Sequence, residues 1–291
     1  MTEMITDTFD VIESAKAPDE YMSNYDGFRE DWISTSALSL LMMCGQAFKF
    51  KYIDKIKEAI GVRQTSGSGA HKGREVNLSQ KIESHEDLAV AEVQDATRDY
   101  VTEQFDSHDV QVEQDFAGKN KDQAKAICVD LATEFAAKDR EVFQPEIQPA
   151  AVEESMAIRF PGLPRIVVGK LDVRLEDGTI RDLKTGKRAF GQSKADDSMG
   201  LTTYGMLKRA DTGVAPPEYL IDNVSAGAKG CKTNIYSTTR TEVQLQQQLM
   251  RFVQWSKVID AGLFGPCDPS HWKCGPAFCG FYDRCKFGGG K

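Results

Sequence analysis

The amino-acid sequence has no long hydrophobic run, no signal-peptide core and no excess of positive charge. A membrane-spanning helix needs about 18 or more consecutive apolar residues, and no segment approaches that length. Residues 1–31 are acidic and polar, so we expect a cytoplasmic protein without a membrane partner. The net charge of −8 argues against a protein that coats DNA through bulk positive charge, although a nucleic-acid enzyme needs basic residues in only one groove.

Internal repeats are also lacking, and low complexity is confined to the final Gly-Gly-Gly-Lys. The 291 residues, of which 41% are hydrophobic, suffice for a sizeable core in one large domain or two modest ones. Disulfides are rare in cytoplasmic proteins. The seven cysteines therefore suggest metal ligation or buried thiols.

Hydrophobic periodicity predicts helices in the first half of the chain, then a mixture of strands and helices. Ser34 or Thr35 would cap the first helix, whose apolar stripe reaches Tyr52 and includes Cys44. Further helices are predicted at 86–105, 121–138, 197–209 and about 240–261. Strands are predicted at 152–160, 166–175, 179–184, 218–224 and 233–237. This order favours an α/β or α+β fold with a mixed sheet flanked by helices. The last helix would open with a capping box formed by Thr239 and Glu242.

Two acids and a lysine interrupt the hydrophobic alternation of a hairpin predicted at 169–186. Asp172 lies on its first strand, while Asp182 and Lys184 lie two residues apart on the second and share a face. Acids where a sheet buries apolar groups are costly unless they hold a cation. Mg²⁺ or Mn²⁺ takes oxygen ligands from one or two carboxylates, and Lys184 would then orient or deprotonate a water or stabilise a phosphate. An isolated Asp-x-Lys is more often an exposed ion pair, but Asp172 on the partner strand favours the metal.

His71 is a candidate third ligand in the glycine-rich segment 65–75. A neutral imidazole can ligate a transition metal, and Mn²⁺ accepts this ligand better than Mg²⁺ does. Taken alone, a partly exposed helical histidine is the more ordinary interpretation. The small residues of this segment suit either a helix in close contact with another backbone or a flexible loop, followed by a helix to about Ser84.

Cys274, Cys279 and Cys285 lie among glycine, proline and aromatic residues near the end of the sequence. Three thiolates on an irregular loop form a soft-metal site that lacks one ligand, which Cys44 or Cys267 could supply. Buried or accidental thiols are the alternative interpretation. The spacing does not decide between zinc and an iron–sulfur cluster.

Together these motifs resemble the RecB-like branch of the PD-(D/E)XK nucleases. The resemblance is strongest to its iron–sulfur exonucleases, which occur in phages, in CRISPR adaptation systems and in AddB subunits. It covers residues 34–285, and its specificity lies in the order and spacing of the motifs. The matching motifs are Ser34-x-Ser36-x-Leu38 with Cys44 and the aromatic segment 48–52, Gly67-x-Gly69-x-His71, Gly169-Lys-Leu-Asp172, Asp182-Leu-Lys184-Thr-Gly186, Ser198-x-x-Leu201-x-x-Tyr204, and the tail cysteines.

The resemblance implies a restriction-endonuclease-like core and a DNA exonuclease that acts on single-stranded or frayed ends. His71, Asp172 and Asp182 would bind the catalytic Mn²⁺ or Mg²⁺ with help from the backbone carbonyl of Leu183. Lys184 would be the catalytic lysine. The implied setting is recombination, repair or CRISPR-type processing in a bacterial or phage-infected cell, where recombination or CRISPR proteins are possible partners.

The resemblance also implies roles for the remaining motifs. Tyr204 would contact DNA or brace the site. A 4Fe–4S cluster, or Zn²⁺ as the alternative, would join the amino-terminal part of the chain to the tail through Cys44, Cys274, Cys279 and Cys285. The expected organisation is an acidic arm at 1–31, a nuclease domain at 32–263 with a helical insertion near 86–140, and a cluster-binding tail at 264–291.

Two features depart from the family pattern. Gly200 stands where the family usually has glutamine, and the Cys274 to Cys279 spacing is wider than in some members. Gly200 supports a second hypothesis, a catalytically inactive module that binds DNA ends or a partner. A third is a zinc-stabilised interaction protein.

The segment after the hairpin carries three candidate phosphate contacts, Lys187, Arg188 and Lys194. A solvated loop is an equally good interpretation of these residues.

Overall fold

A computed structural model describes residues 28–112, 116–276 and 278–289. The acidic arm predicted at 1–31 lies outside these residues, apart from 28–31. The strands are β1 (Phe28–Arg29), β2 (Trp32–Ser34), β3 (Ile60–Gly61), β4 (Val110–Gln111), β5 (Pro149–Ile158), β6 (Ile166–Leu175), β7 (Ile180–Gly186), β8 (Tyr219–Ser225) and β9 (Lys232–Thr238). The helices are α1 (Thr35–Met43), α2 (Gly45–Phe48), α3 (Val62–Ser84), α4 (Val90–Ser107), α5 (Lys121–Val142), α6 (Gln192–Asp196), α7 (Met199–Thr212) and α8 (Glu242–Asp260), with a π-helical turn (Lys49–Ile53) and 3₁₀ turns (Gln144–Glu146 and Tyr282–Arg284).

The first predicted helix begins where expected but is interrupted. Ser34 caps α1, because its Oγ accepts a hydrogen bond from the Ala37 N–H at 3.2 Å. The prediction of one apolar stripe as far as Tyr52 is wrong, since Cys44 has an extended backbone that separates α1 from α2. The break lets Gly45 lie directly on the backbone of Gly265, where a Cβ atom would come within 2.9 Å of backbone atoms.

The predicted capping box of the last helix is also displaced. Thr241, not Thr239, caps α8, and its reciprocal partner is Gln244 rather than Glu242. The reason is the preceding strand, since β9 continues to Thr238 and leaves no room for an earlier helical start. The glycine-rich segment 65–75 belongs to the continuous helix α3, which decides between the two conformations that its sequence allows.

The main sheet is mixed and has seven strands in the order β1-β2-β6-β7-β8-β9, with β5 paired to β6. The pairs β2–β6 and β7–β8 are parallel, and the pairs β1–β2, β5–β6, β6–β7 and β8–β9 are antiparallel. Helices flank this sheet, so the predicted mixed α/β architecture is confirmed. A small parallel pair, β3–β4, lies apart from it.

Strand β6 has three partners but only two edges. β5 covers one edge over nearly its whole length. On the other edge, β2 pairs with residues 166–168 and β7 pairs with only Val173 and Arg174. Residues 169–172 therefore have no strand partner on that edge, and β6 and β7 diverge there. This gap is the place where the hairpin can open towards a ligand.

Two groups of helices cover the sheet. The larger buried cluster joins α1, α7 and α8 to the strands through residues such as Leu38, Leu207, Phe252, Leu171 and Ile221. A second cluster joins α3 and α5 to β7 and β8 through Ala70, Phe135, Ala136, Leu183 and Val224. None of the described helices is long and apolar enough to cross a membrane.

Helix α3 packs unusually close to its neighbours because its glycines leave no side chain in the way. A Cβ atom at Gly69 would collide with Val101 of α4, and one at Gly73 would collide with Thr97. Glycine inside a helix costs up to about 1 kcal/mol relative to alanine. The tight contact with α4 compensates for this cost and fixes the position of α3 over the sheet.

A buried network of charges joins α3 to the centre of the sheet. Arg74 is 2% exposed and contacts Asp139 of α5 at 3.2 Å and Asp222 of β8 at 2.5 Å. Asp222 also receives hydrogen bonds from Nε and an NH₂ group of Arg181 at 3.0 and 2.6 Å. Both acids are fully buried. The network thus ties α3 to β7, which carries Asp182 and Lys184, and to the neighbouring strand β8.

We expect Asp222→Ala to lower the free energy of unfolding by roughly 3–5 kcal/mol, because it leaves two guanidinium groups buried without their shared carboxylate. Urea unfolding followed by circular dichroism measures this change. Asp95→Ala, which removes an exposed partner of Arg98 on α4, is the matched control and should cost less than about 1 kcal/mol. Equal losses in the two variants would contradict the structural role of Asp222.

Candidate metal centre

Asp172 fills the gap where β6 and β7 diverge. Its Oδ2 atom accepts a hydrogen bond from the Leu183 backbone N–H at 3.0 Å. The same oxygen lies 3.1 Å from Nδ1 of His71 on α3. A side chain thus replaces the missing ladder hydrogen bond, and this holds the carboxylate between the hairpin and the helix.

Asp182 and Lys184 contact each other on β7. Nζ of Lys184 lies 2.5 Å from Oδ2 of Asp182, which is consistent with two residues on one face of a strand. Asp182 is 3% exposed, and its Oδ2 has no partner with hydrogen-bond geometry among the described residues. A buried carboxylate oxygen held only by this ion contact is suited to bind a second cation.

His71 reaches this site because α3 lies close to β7. Gly67, one turn earlier on the helix, faces Thr185, and a Cβ atom there would be 2.9 Å from the threonine hydroxyl. The helix can therefore approach the strand closely enough for the imidazole of His71 to contact Asp172. The fold thus brings His71, which lies far upstream in the sequence, to the hairpin residues Asp172, Asp182 and Lys184.

Glu153 is a further member of the site that the sequence analysis missed. It lies on β5 opposite Asp172, between the pairs Val152↔Val173 and Glu154↔Leu171. One ligand atom each from Glu153, His71 and Asp172 lie within 4.8 Å of one another. Glu153 also forms an ion pair with Lys170. Oxygen and imidazole ligands at this separation fit a divalent cation such as Mn²⁺.

The backbone of Glu153 is in the left-handed region, with φ at 52°. This conformation costs a non-glycine residue about 1–3 kcal/mol and is concentrated at functional sites. The sequence contains one signal that could have indicated it. Glu153 and Glu154 are adjacent acids in a predicted strand next to the acidic hairpin, and adjacent strand residues face opposite sides.

The electrostatics of the site indicate a shortage of positive charge. Burial opposes a charge on His71, but the neighbouring carboxylate of Asp172 raises its pKa above the usual value. Burial would raise the pKa of Asp172, but the charge and hydrogen bond of His71 lower it. Burial raises the pKa of Asp182 despite Lys184, and burial likewise raises the pKa of Glu153. A divalent cation bound among these carboxylates would favour their charged forms.

The other predicted site residues lie at different distances from the hairpin. Tyr204 on α7 packs over β6, where a Cβ atom at Gly169 would be 3.6 Å from its ring. Lys187 and Arg188 are exposed on the segment that follows β7. Lys194 on α6 is exposed and lies 5.7 Å from the ring centre of Phe190.

Five of the cysteines line one small cavity between the amino-terminal helices and the tail. They are Cys44, Cys267, Cys274, Cys279 and Cys285. The Cys267 N–H donates to Sγ of Cys44 at 3.4 Å, so the backbone of Cys267 contacts the distant cysteine. Cys128 is separate, because it is buried among the helices and its thiol contacts the Val62 carbonyl at 3.3 Å. All seven cysteines are free thiols.

Aromatic and backbone contacts hold the tail in this position. Phe264 stacks on Phe48 with ring centres 5.8 Å apart, and Phe281 lies 5.6 Å from Phe50. The Gln46 N–H donates to the Gly265 carbonyl at 3.2 Å. Packing therefore places the tail against the segment that contains Cys44, while the predicted metal link between them stays a prediction.

The opened hairpin presents two aspartates and a lysine beneath a helical histidine, and these groups could hold a divalent metal. A family model for the PD-(D/E)XK nuclease superfamily matches residues 33–286. The chain belongs to this superfamily, and its enzymes use divalent metals. No curated protein matches the sequence.

Two solved structures are similar to this chain. A protein from Eubacterium rectale named "Putative exonuclease" has 13% sequence identity and a TM-score of 0.58, with coverage of 90% of this chain and 92% of that chain. This level of identity shows a shared fold. The structure of SSO0001 has 12% identity and a TM-score of 0.33 over 79% of this chain and 87% of that chain. A TM-score this low does not show a shared fold.

We expect Glu153→Gln to weaken Mn²⁺ binding by about 10- to 100-fold, because it removes one charged oxygen ligand while keeping the shape of the side chain. Isothermal titration calorimetry with Mn²⁺ measures the change without any nuclease assay. Glu154→Gln is the matched control, since Glu154 contacts Arg174 and Lys208 instead. Unchanged Mn²⁺ affinity in Glu153→Gln would leave Glu153 as only the ion-pair partner of Lys170.

Proposed function

We propose that the protein is a metal-dependent DNA exonuclease that hydrolyses phosphodiester bonds, chiefly at single-stranded or frayed ends. The observation that supports this proposal is the convergence of His71, Asp172, Asp182 and Lys184 at the opened hairpin, in a chain of a nuclease superfamily. The fold shared with the Eubacterium rectale protein is consistent with it. The biological setting would be recombination, repair or CRISPR-type processing.

Mn²⁺ or Mg²⁺ would be held by His71, Asp172 and Asp182, with the Leu183 carbonyl and Glu153 as further oxygen ligands. Two observations support this set. Oδ2 of Asp182 is buried without a hydrogen-bond partner among the described residues. Ligand atoms of His71, Glu153 and Asp172 lie within 4.8 Å of one another. When bound, the metal acts as a Lewis acid on a phosphate and lowers the pKa of a bound water.

Lys184 would position the attacking water or stabilise negative charge on the phosphate. Its ammonium group is already oriented by Asp182, and that acid together with Asp172 raises its pKa against the effect of burial. Lys184 therefore remains charged at neutral pH.

Tyr204 would brace β6 beside Asp172 or contact the DNA. Lys187, Arg188 and Lys194 are exposed near the end of the hairpin and would contact phosphates.

A 4Fe–4S cluster would have a structural role at the tail. Cys44, Cys274, Cys279 and Cys285 are the proposed ligands, and Cys267 is an alternative because of its contact with Cys44. Joining residues 44 and 274 would stabilise the fold by about 5 kcal/mol on a chain-entropy model. Zn²⁺ is the alternative metal for the same thiols.

A second candidate function is a module that binds DNA ends or a partner protein without cleaving DNA. Gly200 favours it, because the family's usual glutamine is missing from the first turn of α7. A Cβ atom at Gly200 would meet only the Ser198 hydroxyl, at 3.8 Å, so there is open space beside this position. The intact set of Asp172, Asp182 and Lys184 argues for catalysis.

We expect Asp182→Ala to lower the rate of DNA cleavage by at least about a hundred- to thousandfold, because it removes a metal ligand and the partner of Lys184. The assay uses end-labelled linear single-stranded DNA, linear duplex and a closed circle, each with Mg²⁺ and with Mn²⁺. An exonuclease degrades the linear substrates and leaves the closed circle intact.

Asp211→Ala, at an exposed acid on α7, is the matched control for this substitution. Circular dichroism and iron content should be the same in both variants and in the parent protein. Cleavage by Asp182→Ala at the parental rate would overturn the site assignment. DNA binding by the parent protein without turnover in Mn²⁺ would instead favour the non-catalytic module.

We expect anaerobically purified protein to be brown and to contain roughly four iron atoms per chain, and Cys274→Ala to lose both properties. Elemental analysis and visible absorption measure them. Cys231→Ala, which removes a half-buried thiol far from the tail in sequence, is the control. Zinc without iron would favour the zinc site, and the absence of both metals would leave the thiols as structural residues.

A further inference from the structure

A second open groove lies at the beginning of α3, away from the opened hairpin. Its walls come from α1, from the π-helical turn and residues 55–60 that follow it, and from the start of α3. The groove has a volume of about 640 Å³ and is widely open to solvent. Pockets for small molecules usually have about 300–1,000 Å³ and are largely enclosed. The groove is within this range of size, but its openness fits a segment of a polymer better than a small ligand.

The charge of the groove is opposite to that of the whole chain. Among the described residues, its walls include the lysines Lys51, Lys55 and Lys57 and one acid, Glu58. Lys51 contacts that acid at 3.3 Å. Lys55 and Lys57 are exposed, and Nζ of Lys55 also donates to the Phe28 carbonyl at 3.5 Å. The chain as a whole has a net charge of −8. A local excess of positive charge on such a chain selects a negatively charged partner.

The lysines lie on a segment that several contacts hold in place. The Ile56 N–H donates to the Phe50 carbonyl at 2.9 Å, and the Ile60 N–H donates to the Asp109 carbonyl at 2.9 Å. The tail packs against the same segment, because Gly280 leaves room for the side chain of Glu58. The lysine ammonium groups are therefore presented by an ordered backbone, which limits the entropy lost when a partner binds.

Helix α3 connects the groove to the metal centre. Gln64 forms part of the groove wall, and His71 is two turns further along the helix. Residues seven apart lie on the same face, and at about 1.5 Å per residue they are separated by about 10 Å. A stacked DNA strand rises by about 3.4 Å per nucleotide, so this distance corresponds to about three nucleotides.

We propose that the groove formed by Lys51, Lys55, Lys57 and Gln64 binds the phosphate backbone of a single DNA strand about three nucleotides from the scissile bond. This inference rests on the proposed function. The groove would hold the part of the strand that lies about three nucleotides from the bond to be cut. It would thereby keep the strand on the face of α3 that carries His71. Contacts to phosphates do not depend on base sequence, which suits an enzyme that degrades any strand.

The test compares the parent protein with Lys55→Gln/Lys57→Gln in binding to a fluorescein-labelled single strand of about 20 nucleotides. Fluorescence anisotropy in EDTA measures affinity without cleavage. The plot of log affinity against log salt has a negative slope, and each lost phosphate contact makes it shallower by about 0.7. The double variant should therefore have a slope about 1.4 shallower than that of the parent. Between about 50 and about 200 mM salt, the parent should therefore lose about sevenfold more affinity than the double variant does.

Lys138→Gln/Lys257→Gln is the matched control, because it makes the same change in net charge on α5 and α8. Its salt slope should equal that of the parent. Melting temperatures show whether the variants remain folded. Equal slopes in the two double variants would overturn the groove assignment.

Cleavage assays separate this proposal from the proposed function. Lys55→Gln/Lys57→Gln should raise KM for a strand of about 20 nucleotides but leave KM for a dinucleotide unchanged, because a dinucleotide cannot reach the groove. A reduced salt slope in a protein that cleaves nothing would support the groove and reject the nuclease. Cleavage with equal KM in parent and variant for both lengths would support the nuclease and reject the groove.

Discussion

The contact of Asp172 with both His71 and the Leu183 N–H is the constraint on which the site depends. Strands that pair along their full length would bury this carboxylate between ladder hydrogen bonds. Here β7 pairs with β6 only near their turn, so the Leu183 N–H has no acceptor on β6 in the ladder. The side chain of Asp172 accepts this hydrogen bond instead. An acid in this gap is a structural acceptor that also contacts His71, so the opening of the hairpin and the candidate metal centre have one cause.

The rest of the fold holds α3 above that gap. Glycines bring the helix against α4 on one side and against Thr185 on the other. Arg74, one turn beyond His71, reaches through the helix layer to Asp139 and Asp222. A buried charge network of this kind contributes little net stability but strongly penalises other arrangements, because any shift of the helix leaves charges unpaired. The position of His71 is thus determined by residues that never approach the metal.

The elements with regular periodicity were predictable from the sequence, and those that depend on tertiary contacts were not. The hairpin at 169–186 and the cap at Ser34 follow from local alternation and capping chemistry, and the structure confirms them. The helical conformation of the glycine-rich segment depends on its packing against α4. Intrinsic helix propensity carries no information about that packing. Arg74 is buried although arginine is usually exposed. Glu153 was missed because its role depends on strand register and on a left-handed backbone, neither of which a periodic pattern reveals.

The contact between Cys44 and Cys267 spans 223 positions of the chain and has a consequence for biosynthesis. During translation, the segment around Phe48 and Phe50 leaves the ribosome long before its aromatic partners Phe264 and Phe281. Long-range contacts form late because the intervening chain must first be closed into a loop. The nascent chain can thus complete its hairpin with Asp172 and Asp182 well before the lysine-bearing segment is supported. The segment from Phe264 to Phe281 therefore controls when the protein acquires the surface around Lys55 and Lys57.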